Sequence, residues 1–423
     1  MPDSKRLHRA LTASALGALA LLAPSANAQS AKWAYVLDHE LNTTTIESVS
    51  ANSTTGITGT DQSGLPVQIA FDDTIGLWID DDAFIPNGIS SDAYSKAMYA
   101  ELTDGQRVLI NLTNSQDPDL ITAIRLDCES PVRIPLDRIR TLVRAKSSRD
   151  HSPSLELFDA DLQDDAIRLL NNDLFTGFIT SIGTSVEIET INSANQTTTL
   201  SYPVDQVHSI RVQNPSVHTP GTYILTSVRE RLRVHDFEYS RQRELSVTLD
   251  DSLHDQASSQ KLEAKLVGVD RISSEWHLLD LASQVPPTIT PTGNRAWAPE
   301  PEFSSKRWLG TIRTNARIPS PVSIRWELPS GSKRLAMSIN PWEQEWTNNE
   351  FAVRIITTTG SIQTLWSKEF DSTEAPRESI VLDIPNDASA LELYIDPALN
   401  GPIQDQFFVS FPIILIDGSP ELQ

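Results

Sequence analysis

The sequence predicts an all-β protein, built as tandem small β-barrels followed by a C-terminal β-sandwich of the jelly-roll kind. Three observations carry that expectation. Helical periodicity is nearly absent after residue 28. Short runs of Val, Ile, Thr, Leu and Phe alternate at period two and are broken by Gly, Asn, Asp and Pro, as half-buried strands and their turns are. Seven of the nine tryptophans fall between Trp276 and Trp366, where the alternating runs lengthen.

The chain opens with Lys5, Arg6 and Arg9, then a small-apolar run from Ala10 to Ala23, then Ala26-Asn27-Ala28 before Gln29. A charged segment, an apolar segment and a small-x-small cleavage site define a signal peptide over residues 1–28. The apolar run is too short and too rich in Ala and Ser to span a bilayer about 30 Å thick. No later run approaches that length. The expected location is outside the cytoplasm, periplasmic or extracellular.

Without Lys5, Arg6, Arg9 and Asp3 the remainder holds 31 basic against 55 acidic residues, a net charge near −24. Such a surface repels phosphate backbones, which argues against nucleic-acid binding. Cys128 is the single cysteine, so no internal disulfide can form, and its apolar neighbours Ile124 and Leu126 suggest a buried, inert thiol.

A motif recurs at intervals of about 65 residues, the scale of one small barrel per copy. It reads Gln68-Ile69-Ala70-Phe71-Asp72, Arg133-Ile134-Pro135-Leu136-Asp137, Leu200-Ser201-Tyr202-Pro203-Val204-Asp205 and Leu266-Val267-Gly268-Val269-Asp270. Each copy is a strand that ends in apolar-Asp, with a further apolar residue two or three positions on. Asp72, Asp137, Asp205 and Asp270 are expected to accept hydrogen bonds in turns, a structural task. Upstream of the middle copies stand the hairpin signals Asp104-Gly105 and Asn171-Asn172-Asp173. A meander with one apolar face curls into a barrel to hide its edges. Polar breaks at 86–91, 146–153 and 213–220 read as linkers.

These units resemble the small Sm-like or SH3-like barrels found in exported planctomycete proteins. The resemblance is clear over 97–146 and 157–214, fair over 221–274, and faint over 29–90, where the turn residues are lost. It implies barrels that act as spacers or as docking modules.

Residues 276–417 form the last unit. Val322, Ile324, Trp326 and Leu328 share one face of a strand, while Ser323, Arg325 and Glu327 share the other. Leu335, Met337 and Ile339 follow the same rule, as do Phe351, Val353 and Ile355, Ile380, Leu382 and Ile384, and Leu391, Leu393 and Ile395. So many inward rows require two packed sheets, because one open sheet leaves a face bare. The stretch Leu309-Gly310-Thr311, the strand end Trp326-Glu327-Leu328-Pro329, the run Lys333–Ile339 and the strand Leu391–Asp396 resemble a galactose-binding-like carbohydrate-binding module known beside glycoside hydrolases. That likeness implies a jelly roll that binds carbohydrate. The chain departs from it at two functional loops. Residues 340–349 replace an Asp- and Gly-rich loop, and residues 406–410 replace a His-Ala-x-Trp-like element.

Loop 340–349 has a logic of its own. Sugar recognition needs a flat aromatic face for the ring and planar amides or carboxylates for its hydroxyls. Trp342 and Trp346, with Glu343, Asn348 and Asn349, supply those groups as candidate ligand-binding residues. The competing role for the tryptophans is a lid on the sandwich core.

No His-x-x-x-His, nucleophile elbow, phosphate loop or dinucleotide fingerprint occurs. Asp159–Asp165 begins like a calcium loop but lacks its central glycine and distal glutamate, and reads as a solvated linker. No cofactor, metal or catalytic residue is expected. The leading expectation is therefore a non-catalytic, exported glycan-binding protein. The alternatives are an envelope protein that docks another protein, and a glycan hydrolase whose site lacks a recognisable motif.

Overall fold

The computed structural model describes residues 33–79, 89–145, 163–191, 195–217, 219–250, 259–281, 287–291, 301–305, 314–319, 321–341, 349–370, 378–396 and 406–418. The expected leader lies outside them. The protein is all-β, as its period-two patterning predicts: one 20-stranded network precedes two sheets of six and five strands.

The network consists of four antiparallel meanders. The first runs β1 (Trp33–Asp38), β2 (Thr43–Asn52), β3 (Gly56–Thr60), β4 (Pro66–Ile69) and, after a 3-10 turn at Phe71–Asp73, β5 (Thr74–Ile79). A short helix α1 (Ser91–Lys96), capped by the Ser90 hydroxyl, precedes the second. That unit comprises β6 (Met98–Leu102), β7 (Arg107–Leu112), β8 (Leu120–Arg125), β9 (Pro131–Pro135), a 3-10 turn at Leu136–Arg138 and β10 (Ile139–Arg144). The third has β11 (Asp165–Leu169), β12 (Leu174–Ile182), β13 (Ser185–Ile191), β14 (Thr197–Pro203), a 3-10 turn at Val204–Gln206 and β15 (Val207–Arg211). The fourth has β16 (Gly221–Thr226), β17 (Arg231–Tyr239), β18 (Leu245–Leu249), β19 (Ser259–Leu262) and β20 (Leu266–Ile272). In each unit the last strand pairs back onto the first: β5 on β1, β10 on β6, β15 on β11 and β20 on β16.

The first hairpin turn is the same backbone object four times. Leu41, Gly105, Asn172 and Arg229 each have a positive φ, between 64° and 78°. Each donates its N–H to the carbonyl three residues back, at 2.9 to 3.1 Å. Glycine and asparagine tolerate that conformation. Leucine does not favour it, yet Leu41 keeps it with a fully buried side chain.

The fifth strands also pair between units, in a nested order. β10 pairs with β15, joining the second unit to the third, and β20 pairs with β5, joining the fourth to the first. The β5–β20 contact needs glycine. A Cβ on Gly268 would stand 2.9 Å from the Leu77 carbonyl oxygen, and one on Gly76 would stand 2.7 Å from the Trp78 ring. Arginines at the ends of two fifth strands then clasp the partner unit's 3-10 turn. Arg271 donates to the carbonyls of Phe71, Asp72 and Thr74 at 2.9 to 3.1 Å. Arg144 does the same to Val204 and Val207 at 2.5 and 3.0 Å.

Three readings of the sequence need correction. Asp72, Asp137 and Asp205 do sit in 3-10 turns, but Asp270 lies within β20 and is largely buried. The fourth copy of the motif is thus a fifth strand and not the turn before one. Residues 213–217 are docked rather than loose: Gln213 N–H donates to Asp165, Asn214 donates to the Leu136 and Ile139 carbonyls, and Val217 N–H to Thr103. Asp165 is no solvated linker residue. It opens β11, is buried, and also accepts the Ile179 N–H at 2.9 Å. Periodicity reports which residues are polar, and a polar residue that satisfies buried backbone looks the same in sequence as one that faces water. The stretch 146–153 and residues 159–162 lie outside the described residues.

The remaining strands build a two-sheet sandwich. One sheet is ordered β23 (Glu302–Ser305), β24 (Thr314–Pro319), β31 (Gln406–Asp417), β26 (Ser332–Pro341), β29 (Glu378–Asp383), with β21 (Trp276–Asp280) also on β31. The other is ordered β22 (Thr288–Pro291), β25 (Val322–Glu327), β30 (Ala388–Asp396), β27 (Asn349–Thr357), β28 (Ile362–Phe370). Trp326, Leu335, Phe351, Leu391 and Phe407 meet in its core. The sandwich rests on the first unit through Leu37, Leu41, Ile75 and Trp78 against Ala336 and Ile413.

Between the second and fourth units lies a buried ionic cluster. The Arg125 guanidinium stands 2.5 Å from Asp127 and 3.5 Å from Glu230, with none of the three side chains exposed. Glu230 also accepts the Leu109 N–H at 3.0 Å. Burial beside Asp127 holds the Glu230 carboxyl well above the usual carboxylate range, against the pull of Arg125. Removing the arginine leaves the buried Asp127 and Glu230 side chains without their shared donor, so Arg125→Ala should cost about 3–5 kcal/mol, read as a lowered urea midpoint.

Asp270 gives a second expectation. Desolvation outweighs Arg231 and a Trp78 hydrogen bond and pushes its carboxyl up to about 6. A raised carboxyl favours folding in its neutral form. Its contribution is present below pH about 4, and up to about 3 kcal/mol is lost as pH rises to about 6. Urea unfolding at pH 4 and at pH 6.5 should show this fall in the natural chain and a smaller one in Asp270→Asn. Equal pH slopes would refute the assignment.

Candidate functional site

Of the five residues that the sequence nominates for ligand contact, Trp342, Glu343, Trp346 and Asn348 lie outside the described residues. Asn349 is the first residue of β27, in register with Phe370 of β28. Residues 342–348 precede that strand in the chain. Trp326 is 1% exposed, a core residue as its alternation requires.

The sheet face opposite the core carries a polar and aromatic patch along β25, β30 and β27. Phe351, Val353 and Ile355 point inward and are fully buried, which turns Ala352 and Arg354 to the other face. Across the ladder Ala352 stands opposite Tyr394, and Tyr394 opposite Ser323. One pair further on, Arg354 stands opposite Glu392, and Glu392 opposite Arg325. The Arg354 guanidinium stacks 3.6 Å from the centre of the Tyr394 ring. It also lies 3.7 Å from Glu392, whose other oxygen accepts the Ser323 hydroxyl at 2.5 Å. Stacking and ion pair together fix the guanidinium plane, so donors, an acceptor and an aromatic edge come to one patch with little freedom left to lose on binding.

Sequence reasoning places Ser323 and Arg325 on this outward face but does not nominate Tyr394, Arg354 or Glu392. Alternation alone assigns each of them a face. What it cannot supply is the order β25-β30-β27, which makes neighbours of residues 323, 394 and 354.

Among the described residues no group of three or more His, Cys, Asp or Glu is arranged to hold a metal ion. No described helix is long and apolar enough to cross a membrane. Cys128 is half-buried, 3.6 Å from the Gln260 side-chain oxygen, and burial pushes its thiol up to about 12, so it carries little thiolate at neutral pH.

No family model matches the chain, and no curated protein matches it. Among solved structures it is similar to the CBM51-2 and INT domains of Clostridium perfringens ZmpB, at 13% identity and a TM-score of 0.27, over 43% of this chain and 37% of that one. The chain thus spans little more than a third of that structure. It is also similar to the CBM22-1 xylan-binding domain of Paenibacillus barcinonensis Xyn10C, at 8% identity and a TM-score of 0.21, over 34% of this chain and 94% of that one. A third likeness is to CBM29_1 of Piromyces equi, at 10% identity and a TM-score of 0.19, over 31% of this chain and 92% of that one.

Proposed function

We propose that this is an exported, non-catalytic protein that binds glycan through its C-terminal sandwich, with the barrel units as spacers. The observation that supports this reading best is the Tyr394–Arg354 stack tied to Glu392 and Ser323. It lies on β30 and β27, and Trp342, Glu343, Trp346 and Asn348 precede β27 in the chain while Asn349 opens it. An aromatic ring takes the apolar side of a sugar, and a fixed guanidinium and carboxylate read vicinal hydroxyls.

The test is retention of the full chain on a panel of immobilised glycans. Tyr394→Ala and Trp346→Ala should each weaken retention about tenfold, the order expected for one ring contact, with the thermal midpoint unchanged. A chain retained by no glycan sinks the reading, and a lowered midpoint with intact retention makes the ring in question structural.

A second reading, a docking protein, is favoured by a separate observation. A cleft of about 1100 Å³ between the second and third units is lined by Asp117, Asp119, Asp137, Asp164, Asp165 and Glu189, with no lysine or arginine among the described residues. Phe178 and Ile191 stand at its wall 66% and 72% exposed. Those groups suit a cationic protein partner with an apolar anchor.

A further inference from the structure

The first barrel unit and the sandwich do not close completely on each other. Beside their shared apolar contact lies a cleft of about 350 Å³, within the size range of small-molecule sites, which favour domain junctions. Its floor is the outer face of the six-stranded sheet, where Ala336 and Ser338 of β26 and Ser379 and Val381 of β29 alternate away from the sandwich core. Tyr35 and Trp78 of the first unit form an aromatic wall.

The lining is chemically selective. None of its 15 residues is charged, in a chain whose composition is 21% charged. Its polar side chains are the amides of Asn42 and Gln62, the hydroxyls of Tyr35, Thr43, Thr45, Ser338 and Ser379, and the Trp78 indole. Ser338 and Ser379 bond to each other at 3.3 Å, whereas Thr43, Thr45 and Gln62 have no side-chain partner among the described residues. Anionic ligands find no cation here and cations no carboxylate, so burying either would go uncompensated. A peptide strand would need backbone partners, and this floor presents side chains. A neutral ring with an apolar face and several hydroxyls matches every group, since amides and hydroxyls both donate and accept.

We infer that the cleft between the first barrel and the sandwich is a binding site for a neutral saccharide unit, separate from the Tyr394 face. Its ligand touches both bodies and therefore holds them together. Binding that requires the docked arrangement raises the thermal midpoint of the whole chain.

The test uses the full chain and saturation-transfer NMR with glucose, galactose, N-acetylglucosamine and their β-linked disaccharides, with glucuronate and galacturonate as charged counterparts. The expected result is transfer to at least one neutral sugar and none to the uronates. In the Tyr394→Ala background, where the sheet face cannot contribute, that transfer survives, disappears on adding Ser379→Trp, which fills the cleft, and weakens about three- to tenfold on adding Gln62→Ala, a loss of one hydrogen bond. Gln62 lies in an exposed turn, so this variant decides the matter if the bulky one fails to fold. Unchanged affinity in Gln62→Ala and Ser379→Trp, with loss in Tyr394→Ala, overturns the cleft and leaves the sheet-face reading standing. Equal transfer to uronates overturns the claim of neutrality. Transfer to no sugar overturns both sites.

Discussion

Everything N-terminal to the sandwich depends on the double pairing of the fifth strands. A strand at the margin of a small barrel carries a row of unpaired N–H and C=O groups, and an open row invites association with other chains. Here each fifth strand gives one edge to its own first strand and the other to the fifth strand of a second unit. The meanders thereby become two pairs, the second with the third and the fourth with the first; β17 on β7 and the Arg125–Glu230 contact join the pairs, and the buried residues form one continuous core. Arg144 and Arg271 supply the carbonyls of the neighbouring 3-10 turn with donors that the strands cannot. In a chain with a single cysteine, such junctions do the work that covalent ties do in disulfide-linked proteins.

The sandwich extends this logic by apolar contact in place of strand pairing. Leu41, Trp78, Ala336 and Ile413 form a small core of their own, and Arg334 reaches across to the Glu40 carbonyl at 3.3 Å. The candidate surfaces are held by this framework rather than by mobile loops. The Tyr394 patch sits on the central strands β30 and β27, and the neutral cleft is bounded by β26, β29 and the first hairpin.

Much of this was legible in the residues. Period-two runs announce the all-β class, Asp104-Gly105 marks a hairpin that forms as expected, and the alternation Val322, Ile324, Trp326 puts that tryptophan in the core, where it is found. The illegible parts share one cause. Strand order, nested pairing and cross-strand neighbours depend on contacts between residues far apart in the chain, which local pattern does not encode. Asp270 resembled its three counterparts in sequence because apolar-Asp-x-apolar describes both a turn entry and a fifth strand. The first unit carries no turn signal in its sequence because Leu41 occupies a position that glycine or asparagine normally announces. Tyr394 and Arg354 belong to different strands, and only the register brings them together.

The nesting of the units has a consequence for biosynthesis. During synthesis the second and third units are neighbours in the chain, so β10 meets β15 as soon as the third unit is complete. The first unit finishes with β5, yet its partner β20 begins only at Leu266. Until that segment emerges, an unmatched strand of the first unit faces the surroundings, bordered by Gly76 and Trp78. The long wait between β5 and β20 makes the first unit the part of the molecule most dependent on being kept apart from its neighbours while the remainder arrives.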